Sequence, residues 1–157
     1  MFKNTFFWKM LSTFLISMVP VVELRGAIPI GVGSGLPVLL SMIISIIGNM
    51  LPVPFIILFI RKFFGWLRSK HEKLDLLVTK IEARAIRKSD LVRKYAFFGL
   101  FIFVAIPIPG TGAWTGAIIA ALLDIRFKIA LPAILLGVVV ASIIVSVLTY
   151  GVTAFIF

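Results

Sequence analysis

The sequence contains no cysteine and only one histidine. The missing thiols exclude disulfides, thiolate nucleophiles and metals or clusters bound through cysteine. A single histidine, His71, without a group of carboxylates around it makes a poor metal site, so we expect no metal and no cofactor. The sequence also has no nucleophile–base pair and no phosphate-binding glycine loop at a useful spacing, so it does not predict an enzyme.

Acidic residues are few as well. Six Asp and Glu stand against sixteen Lys and Arg, which gives a net charge of +10. Most of this excess lies between Arg61 and Lys94, in a chain that is otherwise apolar. We therefore expect a membrane surface, and no nucleic acid, as the partner of the basic charge. Short loops rich in Lys and Arg remain in the cytoplasm, which predicts a cytoplasmic location for this segment.

Apolar residues are what the sequence has in excess. They make up 61% of the chain and give a mean hydropathy of +1.18, whereas an ordinary soluble domain is about 45–50% apolar. A domain of this size leaves about 30% of its surface exposed, so its own core cannot hide so much apolar surface. The uncharged runs 38–60 and 129–157 both reach the length of about 20 residues that crosses a bilayer. The sequence therefore predicts an all-α integral membrane protein.

The order of segments in the first half of the chain recurs weakly in the second half. We divide a single membrane domain, 1–157, into a first repeat half at 1–60, a cytoplasmic basic helix at 61–94 and a second repeat half at 95–157. Each half has a short apolar arm, a break rich in Gly and Pro, a second short arm and a long span. The periodicity within the basic segment predicts an amphipathic helix. An inverted repeat around one cytoplasmic segment is typical of membrane transporters.

The two breaks read "ELRGAIPIGVGSG", from Glu23, and "PIPGTGAWTGA", from Pro107. Proline lacks a backbone donor and glycine permits left-handed turns, so we expect the helices to stop there. The residues that predict the stops are Gly26, Pro29, Gly31, Gly33 and Gly35 in the first break and Pro107, Pro109, Gly110 and Gly112 in the second. The arms before the breaks, 10–22 and 95–106, reach only about 18–20 Å, which is less than the ~30 Å of the hydrocarbon core. This geometry favours two re-entrant hairpins that meet near the midplane.

An alternative topology has each pair of arms crossing the membrane as one kinked helix. Hairpins return Asp124, Arg126 and Lys128 to the cytoplasm, where basic residues belong, whereas kinked spans place them outside. Lys3 and Lys9 favour the kinked topology, because an inverted pair of halves leaves both termini outside. We favour the hairpins, and the alternative stays open at this point.

The motifs "ELRGAIPIG" and "PIPGTGAWTGA", on either side of one basic segment, resemble the small multidrug export protein family, which is distantly similar to the DedA family of bacterial membrane proteins. The resemblance covers nearly the whole chain and implies a multi-pass protein of the prokaryotic plasma membrane that acts in efflux. The DedA relatives are associated with transport of undecaprenyl phosphate, and their pattern pairs acidic residues of the first hairpin with an arginine of the second. Glu23 matches the acid, but the second break carries Thr111, Gly112 and Trp114 without an arginine, and Arg25 is the nearest substitute.

Glu23 and Arg25 are the charges of the first break. On the insertion scale a charge at bilayer depth costs at least ~2.5–3.5 kcal/mol, so it remains only where it is paired, wet or needed. In the structural interpretation the two side chains pair or cap broken helix ends. In the functional interpretation Glu23 accepts a proton or a cation and Arg25 holds an anionic group. The candidate substrate- and proton-binding residues are Glu23, Arg25, Gly26, Pro29, Pro107, Pro109, Gly110, Thr111, Gly112 and Trp114.

The sequence leaves three candidate functions. The first is a proton-coupled secondary transporter of amphiphilic or cationic compounds, and the second is a translocase for phospholipid or undecaprenyl phosphate. The third is a membrane scaffold without transport. The expected partners are membrane lipids, a small amphiphilic substrate and protons. Two spans and two hairpins enclose a polar site poorly, so we also expect a homodimer or a higher homo-oligomer.

Overall fold

A computed structural model describes the backbone of residues 2–156 and the side chains of these residues except 2–4, 153 and 156. None of residues 2–156 forms a β-strand, which confirms the predicted all-α class. The side chain of Lys3, which bears on the topology, lies outside this description. The helices are α1 (Phe2–Met18), α2 (Glu23–Gly33), α3 (Val38–Met50), α4 (Val53–Lys70), α5 (Glu72–Arg87), α6 (Asp90–Lys94), α7 (Ala96–Ala105), α8 (Ala113–Leu122) and α9 (Phe127–Ile156).

Two helical stretches, Val38–Lys70 and Phe127–Val152, are long and apolar enough to cross a membrane. They lie where the sequence predicted spans, although the first continues into the basic segment. This first stretch consists of α3 and α4, which are separated at Leu51 and Pro52. Proline lacks the N–H that a continuous helix needs and crowds the preceding turn, so the helix is interrupted at Pro52.

The first break is not where the sequence placed it. The chain reverses at residues 19–22, and α2 runs from Glu23 to Gly33 with Pro29 inside it. The prediction that the helix stops at Gly26 and Pro29 is therefore wrong. A proline removes only its own bond to the fourth preceding carbonyl, and a helix packed against neighbours in the membrane tolerates that loss. The reversal instead uses positive φ at Val21 and at Glu23, 83° and 50°.

The second break lies where the sequence predicted it. Helix α7 ends at Ala105 and α8 begins at Ala113. Between them Gly110 and Gly112 have φ values of 82° and 147°, which residues with a Cβ rarely adopt. Glycine is therefore required at both positions for the chain to turn.

The short second arms of the two halves, α2 and α8, end with the same backbone pattern. The N–H of Leu36 donates to the carbonyl of Gly31 at 3.0 Å, and the N–H of Ile125 donates to the carbonyl of Ala120 at 2.9 Å. The residue before Leu36 has φ 94° and the residue before Ile125 has φ 53°. Both ends have the form of a Schellman motif, and a long apolar helix follows each of them.

The helices pack so that each half contacts the other. In the first half α1 packs on α2 and α3, and in the second half α7 packs on α9. Helix α2 also contacts α9, and α8 contacts α4. Each short second arm therefore lies against the long helix of the opposite half, and the ends of the two breaks meet inside the bundle.

Candidate functional site

Glu23 is buried at the beginning of α2, with 5% of its surface exposed. Its Oε1 accepts a hydrogen bond from the backbone N–H of Trp114 at 3.0 Å. Trp114 lies in the first turn of α8, where N–H groups have no partner within the helix and the helix dipole is positive. A carboxylate of the first half thus caps a helix of the second half.

Gly112 makes this close approach of Glu23 possible. A Cβ built on Gly112 would overlap the carboxylate of Glu23. The positive φ of Gly112, 147°, also disfavours any residue with a side chain. The position therefore requires glycine for two independent reasons.

Arg25 binds the other end of the second break. Its Nη1 donates to the carbonyl of Ile108, and its Nη2 donates to the carbonyl of Ile106 at 3.3 Å and to Oγ1 of Thr111 at 2.9 Å. Ile106 follows the last turn of α7, where carbonyls lack helical partners and the dipole is negative. The acid and the base therefore lie at opposite helix ends, and no ion pair joins Glu23 to Arg25 in the described part of the chain.

A cavity of about 440 Å³ opens over Glu23. The second break and α8 form one wall of this cavity, and α5 forms the other. Its polar and aromatic lining residues, apart from Glu23, are Lys80, Arg84, Lys88, Thr111, Trp114 and Thr115, and Gly110 also lines it. Lys88 connects the two walls, because its Nζ donates to the carbonyl of Gly110 at 2.9 Å.

Three basic residues of this cavity were missing from the predicted site. Lys80, Arg84 and Lys88 follow one another at intervals of four residues, so they share one face of a helix. The sequence carries this signal, but sequence reasoning assigned all the basic charge of the segment to the membrane surface. Only the packing of α5 against α8 brings this face to Glu23.

Not all predicted residues lie around this cavity. Pro29 and Pro107 line a second cavity of about 420 Å³, which Arg25 also lines. Pro109 is exposed. The N–H of Gly26 donates to the carbonyl of Val22 at 3.1 Å, at the start of α2. The structure thus gathers Glu23, Gly110, Thr111, Gly112 and Trp114 together. Arg25 lines the second cavity and donates to Thr111 of the first.

An apolar groove of about 430 Å³ lies on the other side of Trp114. Trp114 lines both this groove and the cavity over Glu23. Its indole Nε1–H donates to the carbonyl of Met18 at 3.1 Å, which fixes the ring. The other lining residues come mainly from α4 and include Phe55, Phe59 and Phe63.

Within residues 2–156 no group of three or more His, Asp and Glu side chains lies close enough together to form a metal centre. The polar groups of the site are instead one carboxylate, four cations, two hydroxyls and helix-end backbone groups. These groups can bind charged parts of a small molecule and can exchange a proton at Glu23.

Two apolar helical stretches of membrane-crossing length, with a buried carboxylate where two short helix pairs meet, are the features of a helical membrane protein. Over residues 23–144 the chain matches the family model described as "Putative small multi-drug export protein". The match covers more than half of the chain, so the chain belongs to this family, and the predicted family is confirmed. Neither the curated proteins nor the solved structures that were searched match the chain. The relation to DedA proteins stays a prediction.

Proposed function

We propose that the protein is a secondary transporter that exports small amphiphilic compounds and couples their export to protons through Glu23. The observation that carries this proposal is a buried carboxylate at the base of a 440 Å³ cavity. Ionisable groups at membrane depth mark proton and substrate pathways, because their cost must be offset by a use. The protein works in this proposal without chemistry on its substrate, and it is not an enzyme.

We also propose the re-entrant topology, which two contacts support. Arg61, at the start of the basic segment, forms an ion pair with Asp124 just after α8. At the other end of the bundle, Nζ of Lys9 lies 3.3 Å from the position of a Cβ on Gly35. The first contact places the end of the second pair of arms beside the basic segment, from which that pair begins. The second contact places the beginning of the first pair of arms beside its end. If a pair of arms crossed the membrane, its beginning and its end would lie ~30 Å apart.

The inverted repeat is supported by the shared ends of α2 and α8 and by the reciprocal packing of these helices on α9 and α4. Two halves of this kind can rock against each other around a site at their junction, as transporters with inverted repeats do. We place such a protein in the prokaryotic plasma membrane as a multi-pass homodimer or higher homo-oligomer.

The hydrogen bonds of Glu23 offer a physical link between protonation and movement. The ionised carboxylate binds the positive end of α8, an interaction worth about 0.3–1 kcal/mol and up to ~2 kcal/mol where it is partly buried. Protonation removes the charge and weakens this contact between the halves. Proton uptake at Glu23 would then loosen the first half from α8, and proton release would restore the contact.

The experiment that tests coupling is Glu23→Gln in proteoliposomes with a pH gradient. Glutamine keeps the shape and can still accept from Trp114, but it does not titrate. We expect the variant to fold and insert while uptake of a fluorescent amphiphile driven by the gradient stops. Glu72→Gln, an exposed acid on α5, is the matched control and should transport as the wild type does. Normal gradient-driven transport by Glu23→Gln would refute the coupling role.

The companion substitution Arg25→Lys reports on the second break as well as on any ligand. The guanidinium donates to three acceptors of the break, and one ammonium cannot reach them in the same geometry. Loss of transport in this variant therefore cannot by itself identify an anionic substrate.

A second candidate function is a lipid translocase for phospholipid or undecaprenyl phosphate. The observation that favours it is the apolar groove along α4, which an acyl or prenyl chain can enter from the bilayer. A labelled phospholipid in the same proteoliposomes measures this activity beside amphiphile export. If the wild type showed neither activity, the third function, a membrane scaffold without transport, would be favoured.

A further inference from the structure

We propose that the cavity over Glu23 binds the anionic head of an amphiphile, a phosphate or a carboxylate, and that the apolar groove beyond Trp114 holds its chain. Such a site sets the charge of the exported compound, and only the transport of this ligand rests on the proposed function. Binding of the ligand is measured separately from its transport.

The charge of the cavity favours an anion. Lys80, Arg84 and Lys88 line it, and the ion pairs of the described residues involve Arg61 and Arg68 instead. No acidic partner in the described part of the chain therefore neutralises the three cations. The only carboxylate among the lining residues, Glu23, already accepts a hydrogen bond from the N–H of Trp114. A cationic head would meet a surplus of like charge in this space.

The three cations are placed for different tasks. Lys88 is held by its hydrogen bond to the carbonyl of Gly110, so it fixes α5 against the second break. Lys80 and Arg84 lie on the same face of α5, without a hydrogen bond of this kind, and can turn to a ligand. An arginine fork matches the paired oxygens of a phosphate or a carboxylate, and lysine adds a point charge. The cavity volume of about 440 Å³ falls within the range of small-molecule sites, about 300–1,000 Å³.

The apolar groove provides for the chain of the amphiphile. Phe55, Phe59 and Phe63 lie along one side of α4, and Met18 and Trp114 close the groove at the break. Trp114 belongs to both spaces, and its indole is fixed by the bond to Met18. A molecule with a charged head and a flexible chain can therefore place its head in the cavity and its chain in the groove, with Trp114 between them.

The test measures binding to the purified full chain in neutral maltoside micelles. Trp8→Phe and Trp66→Phe leave Trp114 as the one tryptophan, because the sequence has three. We expect dodecyl phosphate to change the fluorescence of Trp114 saturably, and dodecyltrimethylammonium and inorganic phosphate to bind much more weakly. The cation lacks the right charge, and the free ion lacks the chain. Equal binding of the cationic and the anionic probe would overturn the proposal.

Paired substitutions on α5 separate a built site from general attraction to a basic helix. Lys80→Gln with Arg84→Gln should weaken the binding of dodecyl phosphate by about tenfold or more, because charge-assisted hydrogen bonds are lost. Lys73→Gln with Arg87→Gln removes the same charge from the same helix, but at exposed residues that do not line the cavity. This control should bind normally. An equal loss in both pairs would mean that only the net charge of α5 matters, and the site would be refuted.

Two further arms identify the source of the anion and separate this proposal from transport. Nanodiscs of phosphatidylcholine, with and without phosphatidic acid, show whether a lipid headgroup displaces dodecyl phosphate. Displacement assigns the site to lipid, and no displacement assigns it to a soluble anionic amphiphile. Glu23→Gln should bind dodecyl phosphate at least as tightly as the wild type, since it loses a negative charge. Binding without any transport by the wild type would refute the proposed function and leave the site standing.

Discussion

The contact between the two halves at Gly112 is possible because glycine has no side chain. Alanine would place a Cβ against the carboxylate of Glu23 and strain a backbone with φ 147°. Such a backbone outlier alone costs of order 1–3 kcal/mol, and the displaced carboxylate adds to this cost. We therefore expect Gly112→Ala to lower the thermal unfolding temperature in detergent and to abolish gradient-driven transport.

Gly65 provides the matched control for this substitution. It lies inside α4, and a Cβ on it would meet nothing within 4 Å. Gly65→Ala should leave transport unchanged and stabilise the protein by roughly 0.5–1 kcal/mol, because alanine is the better helix former. If Gly112→Ala unfolded at the wild-type temperature, the placement of Glu23 against α8 would be incorrect.

The charges of the site could be identified from the sequence, but their partners could not. Glu23 and Arg25 are conspicuous because they are the only charged residues of their apolar stretch. Apart from Oγ1 of Thr111, their partners are backbone groups of Trp114, Ile106 and Ile108, and a backbone group has no signature in the sequence. Both side chains bind helix ends, which is the capping role of the structural interpretation. The cavity over Glu23 is also compatible with the functional interpretation.

Helix α3 presents an unusual polar face. Ser41, Ser45 and Asn49 are spaced four residues apart and are fully buried. None of the three side chains has a hydrogen-bond partner among residues 2–156. An unpaired buried polar group costs about 1–3 kcal/mol, so removing a hydroxyl from this face removes a cost rather than a bond.

Ser45→Ala should therefore be neutral or stabilising. Ser142→Ala on α9 is the comparison, because the hydroxyl of Ser142 is buried but donates to the carbonyl of Val139 at 2.6 Å. We expect Ser142→Ala to cost about 0.5–1.5 kcal/mol, the usual net value of such a bond. Thermal unfolding in detergent measures both variants. A larger loss in Ser45→Ala than in Ser142→Ala would show that Ser45 has a partner in the working protein.

For helix α5 the periodicity of the sequence predicts the helix but not its position in the fold. The apolar spacing predicted an amphipathic helix between the two halves, and the structure has a helix there with Val78 and Ala85 buried. Periodicity says which face is apolar but not which neighbour covers it. The contacts of α5 with α4 and α8, and therefore its place beside Glu23, follow from tertiary packing.

The arrangement of the whole chain was predicted in outline and missed at one junction. Composition and run length sufficed for the helical class and for the two long apolar stretches, because lipid as a solvent constrains both strongly. The first break was misplaced because Pro29 and the glycines around it were weighted above Pro20. The chain turns beside Pro20, and the motif that looked like a break is helix α2.

Topology is the property of the whole molecule that a direct experiment decides. The proposed hairpins place Ser34 on the outside and Arg126 on the cytoplasmic side, because each lies near the open end of its hairpin. The chain has no cysteine, so a single introduced thiol is the only labelling site. We expect Ser34→Cys to react with an impermeant maleimide added outside intact cells, and Arg126→Cys to react only after the membrane is opened.

Lys62→Cys supplies the cytoplasmic reference for this measurement. Lys62 is exposed and lies next to Arg61, whose ion pair with Asp124 brings the end of α8 to the same depth. Lys62→Cys and Arg126→Cys should therefore label together, from the inside, under every condition. The kinked topology predicts that the two residues label from opposite sides, because four crossings put residues 124–128 and the basic segment on opposite sides of the bilayer. Labelling of Arg126→Cys from outside, while Lys62→Cys stays protected, would exclude the hairpins and with them the midplane site at Glu23.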